Sequence, residues 1–142
     1  MKTLERCAMS DRILVDTSAW IVSFKSSGNQ RLKDYLRESL DSDRIVTANI
    51  IILELLQGCK DKKEYEALKS RIEVLTIYKL TEDVWSVAYE TGFLMRRKGI
   101  TAPTVDIIIS SIAKRNNLTI FHHDNHLKII SREVGIKTVD FL

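Results

Sequence analysis

The chain has 142 residues, of which 44% are hydrophobic and 29% charged, and its formal net charge is +3. This size predicts one domain with a real hydrophobic core, and the charge is too small to indicate nucleic-acid binding by itself. The apolar runs are too short and too interrupted to span a bilayer, and residues 1–12 form a polar extension without a signal-peptide core. The two cysteines, Cys7 and Cys59, lack metal-ligand spacing and favour a reducing cytoplasm.

Short β-branched runs alternate with amphipathic segments in the first half of the chain. RILVD predicts a buried strand, and TSAWIVSF predicts a helix that the Thr17 and Ser18 hydroxyls can cap. RIVTA predicts a second strand, followed by the helix NIIILELLQG with Asn49 as N-cap and Gly58 as C-cap. Between them, the helix RLKDYLRESL places four side chains on one face: Leu32, Tyr35, Leu36 and Leu40.

The same alternation continues to the C-terminus. Helices are predicted over KKEYEALKSRIE, over TEDVWSVAYETGFLMRRKG with Thr81 at its start, and over PTVDIIISSIAKRNN with Pro103 in its first turn. VLTIY, LTIFHHD and IKTVDF predict strands, and NHLKIISREVG a last helix. Strands alternating with helices are typical of an α/β fold, so we expect one domain over residues 13–142, with a largely parallel sheet covered by helices on both faces.

Four carboxylates stand where predicted strands pass into helices: Asp16, Glu54, Asp106 and Asp124. The carboxyl ends of parallel strands line one crevice, so acids far apart in the chain can meet there. Such an oxygen-lined site suits Mg²⁺ or Mn²⁺ and indicates metal-assisted phosphodiester chemistry.

Each acid also has a purely structural explanation. Asp16 and Asp124 can cap helices, and Asp106 can interact with a helix dipole. Glu54 lies among Ile and Leu residues, so we expect it to be buried and to need a cation, a hydrogen-bond network, a water-filled cleft or a salt bridge. Together they are harder to explain this way. Two carboxylates about 4 Å apart repel by roughly 4 kcal/mol at an effective dielectric constant near 20, so one must hold a proton or all must share a cation.

Three histidines follow the last predicted inner strand. His122 and His123 point to opposite faces if the strand includes both, and without an HExxH pattern or a nearby cysteine a zinc site is not favoured. His126 lies two residues beyond Asp124 and is a candidate for positioning water or phosphate.

Basic and aromatic residues are less informative. Three adjacent cations end a predicted helix and either complement its dipole or contact RNA phosphates: Arg96, Arg97 and Lys98. Four aromatic residues are predicted to belong to the core: Trp20, Trp85, Tyr89 and Phe93.

Four stretches carry a family resemblance: ILVDTSAWI, VTANIIILELLQG, PTVDIIISSIAKRNNLTI and FHHDNHL. In this order and spacing, from Ile13 to Phe141, the chain resembles the PIN-domain nucleases, and among them the VapC-type toxins of toxin–antitoxin pairs. The resemblance implies Mg²⁺- or Mn²⁺-dependent cleavage of RNA, a homodimer, and a small antitoxin that covers the acidic cleft. It matches the family's four acids, in order, to Asp16, Glu54, Asp106 and Asp124.

The chain departs from the family pattern at one position. Many members carry a fifth acid two residues after the fourth, where this chain has His126, which puts a second metal ion in doubt. We expect Asp16 and Asp106 to bind Mg²⁺ directly, Asp124 to complete its shell, and Glu54 to orient or deprotonate the attacking water.

Other functions remain alternatives. A haloacid dehalogenase-type phosphatase needs an acid where Ser18 stands, and a response-regulator receiver needs adjacent acids after the first strand, where Val15 precedes Asp16. A PIN-domain RNA-processing nuclease without an antitoxin, and a catalytically silent binding domain whose acids only cap helices, are not separated from a toxin by the sequence.

Overall fold

Five strands and seven helices alternate along residues 11–142, the part of the chain that the computed structural model describes. The strands are β1 (Ile13–Val15), β2 (Ile45–Ala48), β3 (Thr76–Tyr78), β4 (Thr119–Phe121) and β5 (Thr138–Val139). The helices are α1 (Thr17–Phe24), α2 (Gln30–Asp41), α3 (Asn49–Gln57), α4 (Lys62–Ile72), α5 (Glu82–Arg97), α6 (Thr104–Asn116) and α7 (Asn125–Val134). Most of the predicted N-terminal extension, with Cys7, lies outside the described residues.

The strands form one parallel sheet in the order β3-β2-β1-β4-β5. β1 is central, and its Leu14 pairs with Val46 of β2 on one side and with Ile120 of β4 on the other. The predicted α/β class with a parallel sheet is confirmed. After β1 the chain adds β2 and β3 on one side of it, and later β4 and β5 on the other side. The strand order therefore reverses between β1 and β4. A crevice at such a switch point is where open α/β sheets bind ligands.

The core follows from strands that are covered on both faces. The side chains of β1 are completely buried and β4 is nearly so, as expected for the near-continuous apolar strands of a parallel sheet. Phe121 packs edge-on against Tyr35 of α2, with ring centroids 5.0 Å apart. None of the helices in residues 11–142 is long and apolar enough to cross a membrane.

Helix starts agree with the sequence where a side chain can cap them. Asp16, Thr81 and Asp124 are N-caps whose side chains accept backbone N–H groups. Two predicted positions are wrong by one residue. Asn49 is the first residue of α3 and not its cap, because the extended Ala48 ends β2 and is the N-cap. Pro103 is the N-cap of α6 and does not lie in its first turn.

The predicted core is wrong for several side chains. Trp20 is buried, but Trp85 is partly exposed and Tyr89 and Phe93 are 71% and 66% exposed. The spacing places these three residues on one face of α5, yet the helix turns a different face to the core, through Val84, Ala88, Thr91 and Met95. On α2, Leu40 is likewise exposed although Leu32 and Leu36 are buried.

Candidate metal-binding acidic site

Asp16 lies at the carboxyl end of the central strand and is 4% exposed. Its Oδ2 accepts the Ser18 backbone N–H at 3.0 Å and the Ser18 hydroxyl at 2.5 Å. The Ser18 Oγ in turn accepts the backbone N–H of His123 at 2.9 Å. Ser18 therefore links the β1–α1 turn to the β4–α7 turn across the switch point. The prediction that the Thr17 and Ser18 hydroxyls cap α1 is wrong, because Asp16 is the cap and both hydroxyls donate to carboxylates instead.

Asp124 lies in that second turn and caps α7, where its Oδ1 accepts the His126 backbone N–H at 2.9 Å. The His126 ring Nδ1 is 3.4 Å from the same oxygen. Asp106, in the first turn of α6, faces this pair. Asp106, Asp124 and His126 can each offer one ligand atom, and these three atoms lie within 4.8 Å of one another.

The charges of the four acids are coupled. Burial first, and then the carboxylates of Asp124, Asp16 and Glu54, raise the pKa of Asp106 from 3.8 to about 7, against the opposing effect of His126. Burial also raises the pKa of Asp16, and hydrogen bonds from Ser18 offset part of this rise. The three other predicted acids therefore lie near enough to Asp106 to affect its pKa, but Asp16 and Glu54 are both outside the group of three close ligand atoms.

Glu54 is held by a hydroxyl. Thr17 Oγ1 donates to its Oε1 at 2.7 Å, which links α1 to α3. The expectation that Glu54 is buried is wrong, because Glu54 is half-buried and Leu53 beside it is 58% exposed. Within residues 11–142 Glu54 has no ion-pair partner, so the salt-bridge alternative does not account for it.

His126, a candidate from the sequence, lies in the first turn of α7 among the potential ligands and beside the capping acid. His122 makes a contact that the sequence did not predict. His122 is completely buried, and its ring Nδ1 accepts the Asp124 backbone N–H at 3.2 Å. Burial lowers the pKa of His122 below 6.5, while the carboxylates of Asp140, Asp16 and Asp124 act in the opposite direction. Nothing in the local sequence indicates that contact.

The three predicted phosphate-binding cations differ in their surroundings. Lys98 Nζ bonds to Glu133 at 2.7 Å, and the Arg97 guanidinium lies 5.5 Å from the centre of the Phe93 ring. Arg96 lines a groove of about 600 Å³ that reaches Thr104 at the start of α6, two residues before Asp106. Arg96 is therefore the one of the three that lines a groove ending at the start of α6.

The donor set fits a hard divalent cation. Carboxylate oxygens are the ligands that Mg²⁺ and Mn²⁺ prefer. The carboxylates beside Asp106 help to raise its pKa to about 7, and a bound cation would relieve the repulsion between them. The imidazole of His126 is a softer donor, more compatible with Mn²⁺ than with Mg²⁺.

Comparison with known proteins agrees with this geometry. The sequence matches the family described as "PIN domain" over residues 13–133. It is 26% identical over 132 residues to "Ribonuclease VapC11" of Mycobacterium tuberculosis (strain ATCC 25618 / H37Rv), covering 91% of this chain and 98% of that protein.

Solved structures share the fold. "VapBC-1 from nontypeable Haemophilus influenzae" matches with a TM-score of 0.73 at 17% identity, covering 90% of this chain and 96% of that one. "VapBC2 from Rickettsia felis", bound to a promoter DNA fragment, matches with a TM-score of 0.72 at 18% identity, covering 92% and 98%. The resemblance recognised in the sequence is confirmed. With most of its length matched and its acids gathered at the switch point of a parallel sheet, this chain belongs to the PIN domain family.

Proposed function

We propose that this PIN domain is a metal-dependent endoribonuclease and the toxin of a VapBC-type toxin–antitoxin pair. The observation that carries the proposal is the proximity of Asp16, Glu54 and Asp124 to Asp106, whose pKa is raised to about 7 by burial and by these carboxylates. Relatives of nearly the same length are named ribonucleases, and similar structures are toxin–antitoxin complexes. A cytoplasmic location remains our prediction.

Asp106 and Asp124 are the first candidates to hold Mg²⁺ or Mn²⁺, with Asp16 completing the carboxylate set and His126 as a supporting ligand. A bound divalent cation supplies Lewis-acid activation of the phosphodiester and lowers the pKa of a nearby water. Burial raises the pKa of Asp16, and two hydrogen bonds from Ser18 orient its carboxylate and offset part of this rise.

Glu54 is the proposed general base. The Thr17 hydroxyl fixes its Oε1, so the second oxygen is available to orient a water and accept its proton. In hydrolysis the water oxygen forms a bond to phosphorus, the phosphorus–oxygen ester bond breaks, and the departing ribose oxygen takes up a proton. A carboxylate held on one side by a hydroxyl has the orientation that this role requires.

Basic side chains at the end of α5 are proposed to bind RNA phosphates. Arg96 is the main candidate because its groove leads to the start of α6. Arg97 is stacked on Phe93 and Lys98 is paired with Glu133, so we give them smaller contributions.

An antitoxin is the proposed protein partner. A groove of about 250 Å³ between α1, α2 and α4 is mainly apolar and includes Trp20, Phe24, Leu40 and Leu68. Phe24 and Leu40 are exposed there, which suits an apolar segment of a partner. The acidic cleft would attract a basic segment of the same partner, because four carboxylates create a strongly negative local field.

A homodimer is the proposed assembly. Trp85, Tyr89 and Phe93 form the α5 stripe, and the rings of Trp85 and Tyr89 are stacked with centroids 6.3 Å apart. Aromatic residues are enriched in interfaces, and a stripe along one helix can pair with its own copy around a two-fold axis.

The test of this function compares cleavage of a single-stranded RNA by the wild-type chain with and without Mg²⁺, Mn²⁺ or EDTA. Asp41→Asn, at the exposed end of α2, is the matched control for Asp16→Asn. We expect metal-dependent cleavage in the wild type and the control, and none in Asp16→Asn. A wild-type protein that neither cleaves RNA nor melts at a higher temperature with metal would support the silent binding domain instead.

A further inference from the structure

His122 connects the acidic site to the edge of the sheet. Its backbone N–H donates to the Val139 carbonyl of β5 at 3.1 Å, which anchors the residue. Its side chain is completely buried, and its Nδ1 accepts the Asp124 backbone N–H. One residue therefore joins β5 to the turn that carries a proposed metal ligand.

The hydrogen bond defines the state of the imidazole ring. A ring nitrogen that accepts a backbone N–H carries no proton, so the hydrogen of neutral His122 must be on Nε2. Within residues 11–142, Nε2 has no hydrogen-bond partner, and the Asp140 Oδ2 is 3.9 Å away, just after β5. That separation is too long for a direct hydrogen bond.

Filling space does not explain a histidine at this position. An apolar side chain would occupy the same volume without burying an unbonded ring N–H, which is costly. What histidine provides is an acceptor at Nδ1. Without that acceptor the partly buried Asp124 N–H would lose its hydrogen-bond partner, and the turn that directs the Asp124 carboxylate would be free to reorient.

We propose that His122 is a positioning residue: its Nδ1 holds the Asp124 backbone and thereby sets the direction of the Asp124 carboxylate toward the cation. This role rests on the proposed function, because it presumes that Asp124 binds the metal. Side chains that orient metal ligands typically change metal affinity by about 10- to 100-fold when they are replaced.

The test uses two amides that imitate different ring nitrogens. In His122→Asn the side-chain oxygen can occupy the Nδ1 position, whereas His122→Gln places its amide near Nε2, and His122→Leu fills the volume without an acceptor. The readout is the affinity for Mn²⁺ alone by titration calorimetry. We expect about a tenfold loss in His122→Gln and His122→Leu, and a loss of no more than about threefold in His122→Asn. For RNA cleavage at limiting Mn²⁺, the loss should lie in kcat and not in KM, and saturating Mn²⁺ should restore it.

Failure of this proposal is distinguishable from failure of the proposed function. Wild-type protein that does not bind Mn²⁺ would refute the metal site and this role together. Wild-type binding with equal affinity in all variants, or a loss in His122→Asn as large as in His122→Gln, would overturn the positioning role alone. If the variants do not fold, the positioning role is tested by ¹H–¹⁵N correlation spectra of the His122 ring nitrogens in the wild type. A proton on Nδ1 at neutral pH would exclude the hydrogen bond from the Asp124 N–H and overturn the proposal.

Discussion

Replacing Asp106 by asparagine should stabilise the metal-free protein more at alkaline than at acidic pH. The pKa of Asp106 is raised from 3.8 to about 7, so the folded state holds its proton more tightly than the unfolded chain does. Because proton binding and folding are coupled, the contribution of Asp106 to the free energy of unfolding falls as the pH rises from 3.8 to about 7. Above that pH this contribution no longer changes. Asparagine does not titrate and escapes this loss.

The magnitude follows from the shift. The raised pKa of Asp106 lies about 1.5 pH units above pH 5.5. At about 1.4 kcal/mol per pH unit, the wild type loses roughly 2 kcal/mol of its free energy of unfolding over this interval. Because the cleft is open to water, we halve this figure. The advantage of Asp106→Asn over the wild type should therefore be about 1 kcal/mol greater near pH 8 than near pH 5.5.

Urea unfolding in EDTA at both pH values measures this difference directly. Subtracting the wild-type curve removes the contributions of other groups, including His122, whose lowered pKa makes stability rise with pH. Asp41→Asn, at an exposed position, is measured in parallel as the control for replacing an aspartate by asparagine. A constant offset between Asp106→Asn and the wild type, or an offset that shrinks toward pH 8, would refute the assigned pKa. Adding Mg²⁺ should make the wild type more stable than Asp106→Asn. Only the wild type gains binding free energy, about 2.7 kcal/mol when the Mg²⁺ concentration is 100 times Kd.

Four further outcomes are expected. Asp16→Asn should abolish RNA cleavage with an unchanged circular dichroism spectrum, since asparagine can still cap α1; cleavage that persists and is still blocked by EDTA would contradict this. Ser18→Ala should lower the free energy of unfolding by about 1–3 kcal/mol in urea, because the buried His123 N–H loses its acceptor; an unchanged midpoint would argue against the link. His126→Asp should shift calorimetric affinity from Mn²⁺ toward Mg²⁺, and equal ratios would exclude His126 as a ligand. Tyr89→Arg should convert a dimer to a monomer in sedimentation; a dimer that persists would place the interface away from the α5 stripe.

Much of the local structure of this protein could be predicted from its sequence alone. Runs of β-branched residues predicted the strands, and side chains that accept backbone N–H groups marked the helix starts at Asp16, Thr81 and Asp124. The places of Asp16 and Asp124 after β1 and β4 predicted that these two acids lie close together, because parallel strands align their carboxyl ends. The expectation that Glu54 and Asp106 also stand where strands pass into helices is wrong, because Glu54 lies within α3 and Asp106 in a helix that follows another helix. These features depend on neighbours in the chain or on a general rule of parallel sheets.

Tertiary structure alone decided what depends on the orientation of one element against another. The spacing of Tyr89 and Phe93 places them on one face of α5 but does not tell which face meets α6, and they proved to be exposed. Glu54 is half-buried because α3 turns Ile51 and Leu55 to the core and leaves Leu53 exposed, and only packing sets that rotation. The hydrogen bond from Asp124 to His122 is local in the chain, yet β5 anchors it through Val139. Sequence periodicity records a residue's place on its own helix or strand, whereas the rotation and docking of that element are set by the sum of contacts with distant segments.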